Sequence, residues 1–237
     1  MAYDVTDVGR LCVRNIAQLD HVANNIANAT TPGFKTEHLH YFISQTPKPG
    51  SDLPPEHSPQ LAIDHSQGAI QKTGNPLDVA IHGDGFFAVQ AKGNIVYTRK
   101  GDFTVTSDGK LVTTSGEEVL GDGGALVITG SKVRINDQGV VEVDGAEIGR
   151  LRVVTFDNKK ALVRQGAGLF RDPGAAGLKT VEEPVILSGH LEVSNVQAVK
   201  EMIGMVDLQR SFETYQKIIL TMQDMDKLST SRVGRLA

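Results

Sequence analysis

Residues 103–113 read Phe103-Thr-Val-Thr-Ser-Asp-Gly-Lys-Leu-Val-Thr113. Two short runs of β-branched, aromatic and aliphatic residues flank Ser107-Asp-Gly109, which is the signature of a β-hairpin. The same texture extends in both directions. Upstream, Asp78-Val-Ala-Ile81 leads into Gly83-Asp-Gly85, and Phe86-Phe-Ala-Val89 into Lys92-Gly93-Asn94. Downstream, Val140-Val-Glu-Val143 and Ala146-Glu-Ile148 flank Asp144-Gly145, and Leu151-Arg-Val-Val-Thr-Phe156 reads as a longer strand. Roughly ten short strands at this spacing predict an all-β domain over 66–189, either a sandwich or an irregular barrel.

The two ends of the chain follow a different period. Val5, Val8, Cys12, Ile16, Leu19, Ala23 and Ile26 recur at spacings of 3, 4, 4, 3, 4 and 3. That is the 3.5-residue repeat of a coiled-coil seam rather than the 3.6 of an isolated surface helix. Thr31-Pro32-Gly33 then stops the helix. At the other end, Met205, Leu208, Phe212, Tyr215, Ile219 and Met222 recur at 3, 4, 3, 4 and 3, and Val199, Met202, Ile203 and Val206 add a second face. Ser194-Asn-Val-Gln197 reads as a capping box that starts this helix. Between the first helix and the β domain, Pro47, Pro49, Pro54, Pro55 and Pro59 crowd into a stretch read as an extended linker. The expected organisation is an N-terminal helix and turn (1–43), a proline-rich linker (44–65), the β domain (66–189) and a C-terminal helix (190–237). Both terminal helices are amphipathic and marginal alone, so their stripes require burial, either against each other as a coiled coil or against other copies.

Composition excludes several functions. The 237-residue chain has 24 Lys plus Arg against 28 Asp plus Glu, no tryptophan and one cysteine. A net charge of −4 is wrong for a nucleic-acid binder, which needs a basic face. A lone cysteine forms neither an internal disulfide framework nor a cysteine-rich metal site. No run approaches the roughly 18 apolar residues of a membrane span. Met1 to Arg10 lacks the basic start and apolar core of a secretory signal peptide. The expectation is a protein without membrane insertion, either cytoplasmic or exported by a route that reads no such signal.

Chemical sites are weakly supported. His38 and His40, with His57 and His65 downstream, lack a cysteine at ligand spacing. Gly83-Asp-Gly85 and Gly121-Asp-Gly-Gly124 do not continue as phosphate loops into helices. Asn136-Asp-Gln-Gly139 lacks the ligand alternation of a calcium loop. The pairs Glu117-Glu118 and Glu182-Glu183 point opposite ways on a strand. Cys12 lies on the apolar stripe and reads as a small hydrophobe. Met202, Met205, Met222 and Met225 give the last helix an adaptable apolar surface. The expectation is no catalytic residue, no metal and no cofactor.

Residues 23–35, Ala23-Asn-Asn-Ile-Ala-Asn-Ala-Thr-Thr-Pro-Gly-Phe-Lys35, resemble the N-terminal signature of the axial rod and hook proteins of the bacterial flagellum. Asn24, Asn25, Asn28, Pro32, Gly33 and Phe34 carry the likeness. Asparagine is a poor helix former, so each of the three needs a partner or ends the helix. Thr73–Phe87, Tyr97–Phe103 and Ser188–Val199 resemble further phrases of the same family, in the same order. The resemblance implies a non-enzymatic subunit of the basal-body rod that leaves through the flagellar type III export apparatus and keeps its N-terminus. Such a subunit would build a periplasm-spanning helical tube from its terminal helices and join copies of itself and neighbouring rod proteins. Val8, Cys12, Ile16, Leu19, Ala23 and Ile26 would then form the assembly interface with Met205, Leu208, Phe212, Tyr215, Ile219 and Met222. Within the family, length and the spelling of Asn28–Gly33 point to the proximal rod type with a central β domain, the distal type being the alternative. A soluble β-domain binding protein or hydrolase with helical appendages is the reading from a different class.

Overall fold

The computed structural model describes residues 5–43, 57–130, 132–166 and 168–233. The chain is mainly β, with one helix near each end: α1, Val5–Ala27, and α2, Ala198–Val233. It divides into two compact units. One contains α1, residues 37–61 and α2; the other contains residues 28–36 and 62–196.

In the helical unit, α1 and α2 run antiparallel. The amide of Asn15 reaches the Leu208 carbonyl at 2.9 Å, while Asn25, ten residues further along α1, lies 3.4 Å from the Glu201 carboxylate, seven residues back along α2. A two-stranded ribbon pairs Glu37–Ile43 with His57–Ile63. The second of these strands falls within the stretch expected to be linker. A two-stranded ribbon has only edges, where the missing amide of Pro59 is tolerated. Residues 44–56 of that stretch lie outside the described residues.

The β unit is built on an open sheet of ten strands, accompanied by a three-stranded sheet and two-stranded pairs. The sequence leads to a sandwich or an irregular barrel; the sheets of the β unit do not close. At the centre, Phe86–Ala91 pairs with Asn94–Thr98. Lys92 (φ 49°) and Gly93 (φ 81°) turn the hairpin, and Asp144 (φ 52°) and Gly145 (φ 89°) turn another between Val140–Val143 and Ala146–Arg150. Two left-handed residues in succession match the right-handed twist of the flanking strands. The hairpin of 103–113 forms as read, with Phe103 opposite Thr113.

The run Phe86-Phe-Ala-Val89 is apolar at every position because its strand is covered on both faces. Phe87 and Val89 enter a core with Val96, Val119, Val141, Leu151 and Ile186. Phe86 and Ala88 enter a second, with Tyr97, Val154, Phe156 and Phe170. Strand Val79–His82, buried at its first three positions, pairs with Val185–Ser188.

His65 lies edge-on to Phe86 and Phe170, with ring centroids 5.8 and 5.3 Å away. Burial lowers its pKa to about 4, assisted by the charges of Lys35, Lys159 and Arg99. The folded chain therefore holds His65 neutral, whereas the unfolded chain protonates it near 6.5. Stability from this group is intact above pH 6.5 and declines as pH falls toward 4, by roughly 2–3 kcal/mol. Urea unfolding across pH 4–7 should show this loss, and His65→Leu should flatten it; an equal slope in both proteins would contradict the assignment.

Candidate functional site

Two places concentrate the residues singled out above: the faces of the terminal helices, and the turn that follows α1.

On α1, Val8, Asn15 and Asn25 are buried. Cys12, Leu19 and Ile26 are half-buried beside them. Ile16 and Ala23 are exposed, so the stripe read from the sequence splits into an inner and an outer part. The buried level between Cys12 and Leu19 is taken by Asn15. Its amide is satisfied by the Leu208 carbonyl, which lets a polar residue occupy a buried position. Asn25 is more completely bound. Its Nδ2 donates to the Glu37 carbonyl at 2.8 Å, and its Oδ1 accepts the Glu37 amide at 3.0 Å. Arg14 stacks its guanidinium 4.2 Å from the centroid of Tyr41, holding the ribbon on α1.

On α2, Met205, Leu208, Phe212, Tyr215, Ile219 and Met222 are half-buried, while most residues between them are exposed. The helix starts later than the capping-box reading implies. The Ser194 hydroxyl accepts the amide of Val196, two residues on, and the first turn is closed by the Gln197 carbonyl with the Glu201 amide.

The turn after α1 packs entirely within the β unit. Asn28 accepts the Thr31 amide and hydroxyl at 3.1 and 3.2 Å, and Thr31 in turn accepts the Phe34 amide. Pro32 is half-buried and Asn24 is exposed at the end of α1. Gly33 has φ 65°, and a Cβ there would lie 2.5 Å from the backbone of Arg99 and Lys100, so glycine is required for both conformation and space. The Gly33 amide donates to the Glu192 carbonyl at 2.7 Å. Phe34 is buried, with the Arg164 guanidinium 4.2 Å from its ring centroid.

Behind this turn lies a buried ionic network that the sequence reading did not identify. The Glu192 carboxylate, 1% exposed, receives Lys35 Nζ at 2.5 Å and Arg99 Nη1 at 3.2 Å. It also accepts the Gly68 amide at 3.0 Å. Each cation also reaches a carbonyl, Lys35 that of Ser66 and Arg99 that of Gly83, while the buried Arg99 Nε has no hydrogen-bond partner. Burial lowers the pKa of Lys35, against the opposing pull of Glu192. Nearby, the Asn195 side chain accepts from the amide and hydroxyl of Thr36 at 2.8 Å and donates to the Asp64 carbonyl at 2.9 Å. The signal was present in the quoted phrases, because Lys35 ends one, Arg99 lies in another, and Glu192 and Asn195 lie in a third.

Among the described residues, no three His, Cys, Asp or Glu side chains gather to hold a metal. His38 and His40 place their ring centroids 6.3 Å apart, at the exposed ribbon. Among the described residues, no helix is long and apolar enough to cross a membrane.

Removing one partner of a buried ion pair strands the others. Glu192→Gln should destabilise the β unit by about 3–5 kcal/mol. Chemical denaturation of the full chain measures this; a change under about 1 kcal/mol would show that solvent reaches the site.

Three family descriptions match successive parts of the chain. They are "Flagella basal body rod protein" over residues 14–35, "Flagellar hook protein FlgE/F/G D1 domain" over 80–143, and "Flagellar basal body rod FlgEFG protein C-terminal" over 187–232. The chain is 35% identical to the flagellar basal-body rod protein FlgF of Caulobacter vibrioides, covering 92% of this chain and 93% of that protein. It is 34% identical to the flagellar basal-body rod protein FlgG of Bacillus subtilis, covering 88% and 90%, and 31% identical to the FlgF of Mesorhizobium japonicum, covering 83% of each. With the resemblance running from α1 through the β unit to α2, the chain belongs to the flagellar basal-body rod protein family, whose members are structural components of the rod.

Proposed function

We propose that this chain is a non-catalytic subunit of the basal-body rod that polymerises through its terminal helices. Similarity to rod proteins along almost the whole length of the chain carries the reading. The helix surfaces support it, because α2 keeps its apolar stripe only half-buried and exposes further apolar residues outside that stripe. A coiled-coil arrangement of α1 and α2, joined by helices of neighbouring copies, would complete the burial. In this reading the partners are other copies of the chain, neighbouring rod proteins and the flagellar export apparatus. The subunit resides in the periplasm-spanning rod and reaches it without a cleaved signal peptide. The Asn28–Gly33 turn favours the proximal rod type over the distal one.

Leu19 and Ile219 test the helical interface. A charge on a buried seam costs several kcal/mol unless paired or neutralised. Every subunit of a polymer repeats that cost, so Leu19→Asp or Ile219→Asp should abolish swimming and rod formation. The β unit should resist protease to the same degree in both variants as in the unaltered chain. Normal motility in cells carrying either variant as their only copy would remove these positions from the interface.

A further inference from the structure

The chain passes between its two units four times, at 27/28, 36/37, 61/62 and 196/197. Inside the β unit, one side chain gathers the segments that lead to three of these crossings. Asn195 is the next-to-last residue before the chain leaves for α2. Its Oδ1 accepts the amide and the hydroxyl of Thr36, both at 2.8 Å. Thr36 is buried and is the last residue before the second crossing. The Nδ2 of Asn195 donates to the Asp64 carbonyl at 2.9 Å and lies 3.2 and 3.1 Å from the carbonyl and hydroxyl of Ser66. Asp64 is the third residue after the chain returns. The backbone repeats the pattern. The Asp64 amide donates to the Thr36 carbonyl at 2.9 Å, and the Asn195 backbone amide to the Phe34 carbonyl at 3.4 Å.

The residue type matters. A carboxamide carries an acceptor and two donors side by side, so it can bridge a segment that offers N–H and O–H to one that offers carbonyls. A carboxylate can serve only the first of these, and an apolar side chain neither. The bonds also close no local turn, since Thr36 and Asp64 lie 159 and 131 positions from Asn195.

We propose that Asn195 is a mechanical clamp which, resting on the rod reading above, makes these three connections take load together when the rod turns. Without it, each connection has its own slack, and the tautest one is pulled first and peels from the β unit bond by bond. With it, a pull on any one is shared by the other two. Lys35 shares it as well, because its ammonium holds the Ser66 carbonyl at 2.6 Å. A single hydrogen bond contributes little by itself. Several that must break at once resist a pull far better than the same number breaking in turn.

The test uses cells in which the tested chain is the only copy. Asn195→Leu removes both ends of the clamp. Asn195→Asp keeps the acceptor for Thr36 and loses the donors for Asp64 and Ser66. Val141→Ala is the control, since it opens the first apolar core away from the crossings. Both Asn195 variants should build basal bodies in unaltered number. As the medium is made more viscous, they should shed hooks and filaments several-fold more often per basal body than unaltered cells, Asn195→Leu more than Asn195→Asp. Val141→Ala should not. In the purified full chain, Asn195→Leu should speed hydrogen exchange at the Thr36 amide by about tenfold, with exchange over 86–98 unchanged. Shedding at the unaltered level, equal shedding by Val141→Ala, or unchanged exchange at Thr36 would overturn the clamp and leave the rod reading standing. So would failure of both Asn195 variants to build basal bodies, which would make Asn195 a requirement of folding rather than of load. Absence of the unaltered chain from basal bodies would overturn both readings.

Discussion

Glu192 holds two cations at once, out of water, and that constraint organises the β unit. One carboxylate offers enough acceptor sites for Lys35, Arg99 and the Gly68 amide, and one further donor of each cation ends on the carbonyl of Ser66 or Gly83. A buried ion pair adds little net stability over apolar packing of the same volume, yet losing one member is expensive. The network therefore penalises any arrangement in which these segments separate. It also explains why Gly33 must be glycine: the turn is pulled against the backbone of Arg99, leaving no room for a side chain.

The same point is where the separate phrases of the sequence meet. The turn after α1 contributes Gly33 and Lys35, the stretch near residue 83 a carbonyl, the stretch near residue 99 its guanidinium, and the approach to α2 both Glu192 and Asn195. In the chain these lie far apart, Lys35 and Glu192 being 157 positions apart. In the fold they form one polar cluster beside the second apolar core. Segments that looked like independent signatures are thus parts of a single physical arrangement.

The hairpins were legible because turn chemistry is local. Asp144-Gly145 and Ser107-Asp-Gly109 specify their backbone whatever surrounds them, and the apolar run at Phe86 announces a strand without a solvent face. The terminal helices were equally legible from their period. The assignment of faces was not. A 3.5-residue repeat drew Ile16 and Ala23 into one stripe with Val8 and Leu19, whereas burial separates them. Counting apolar residues cannot reveal that Asn15 belongs inside, since its fitness there depends on a carbonyl from the far end of the chain. Ser194 misled for a related reason: a hydroxyl that can cap a helix can also close a turn two residues ahead. The ionic cluster was illegible because charged residues read as surface until their partners are known.

Asn15 also fixes the register of the helix pair. An apolar seam with a seven-residue repeat is nearly degenerate, since two helices could slide past one another by a heptad and meet similar surfaces. The Asn15 amide removes that freedom, because a slip would take it off the Leu208 carbonyl and strand it, at about 1–3 kcal/mol. The overlap of α1 and α2 thus has one permitted length. Counting from Asn15 and Leu208, the start of α1 at Val5 falls near residue 218. Some 15 residues of α2 then project beyond it, an overhang of roughly 22 Å whose length is the same in every subunit.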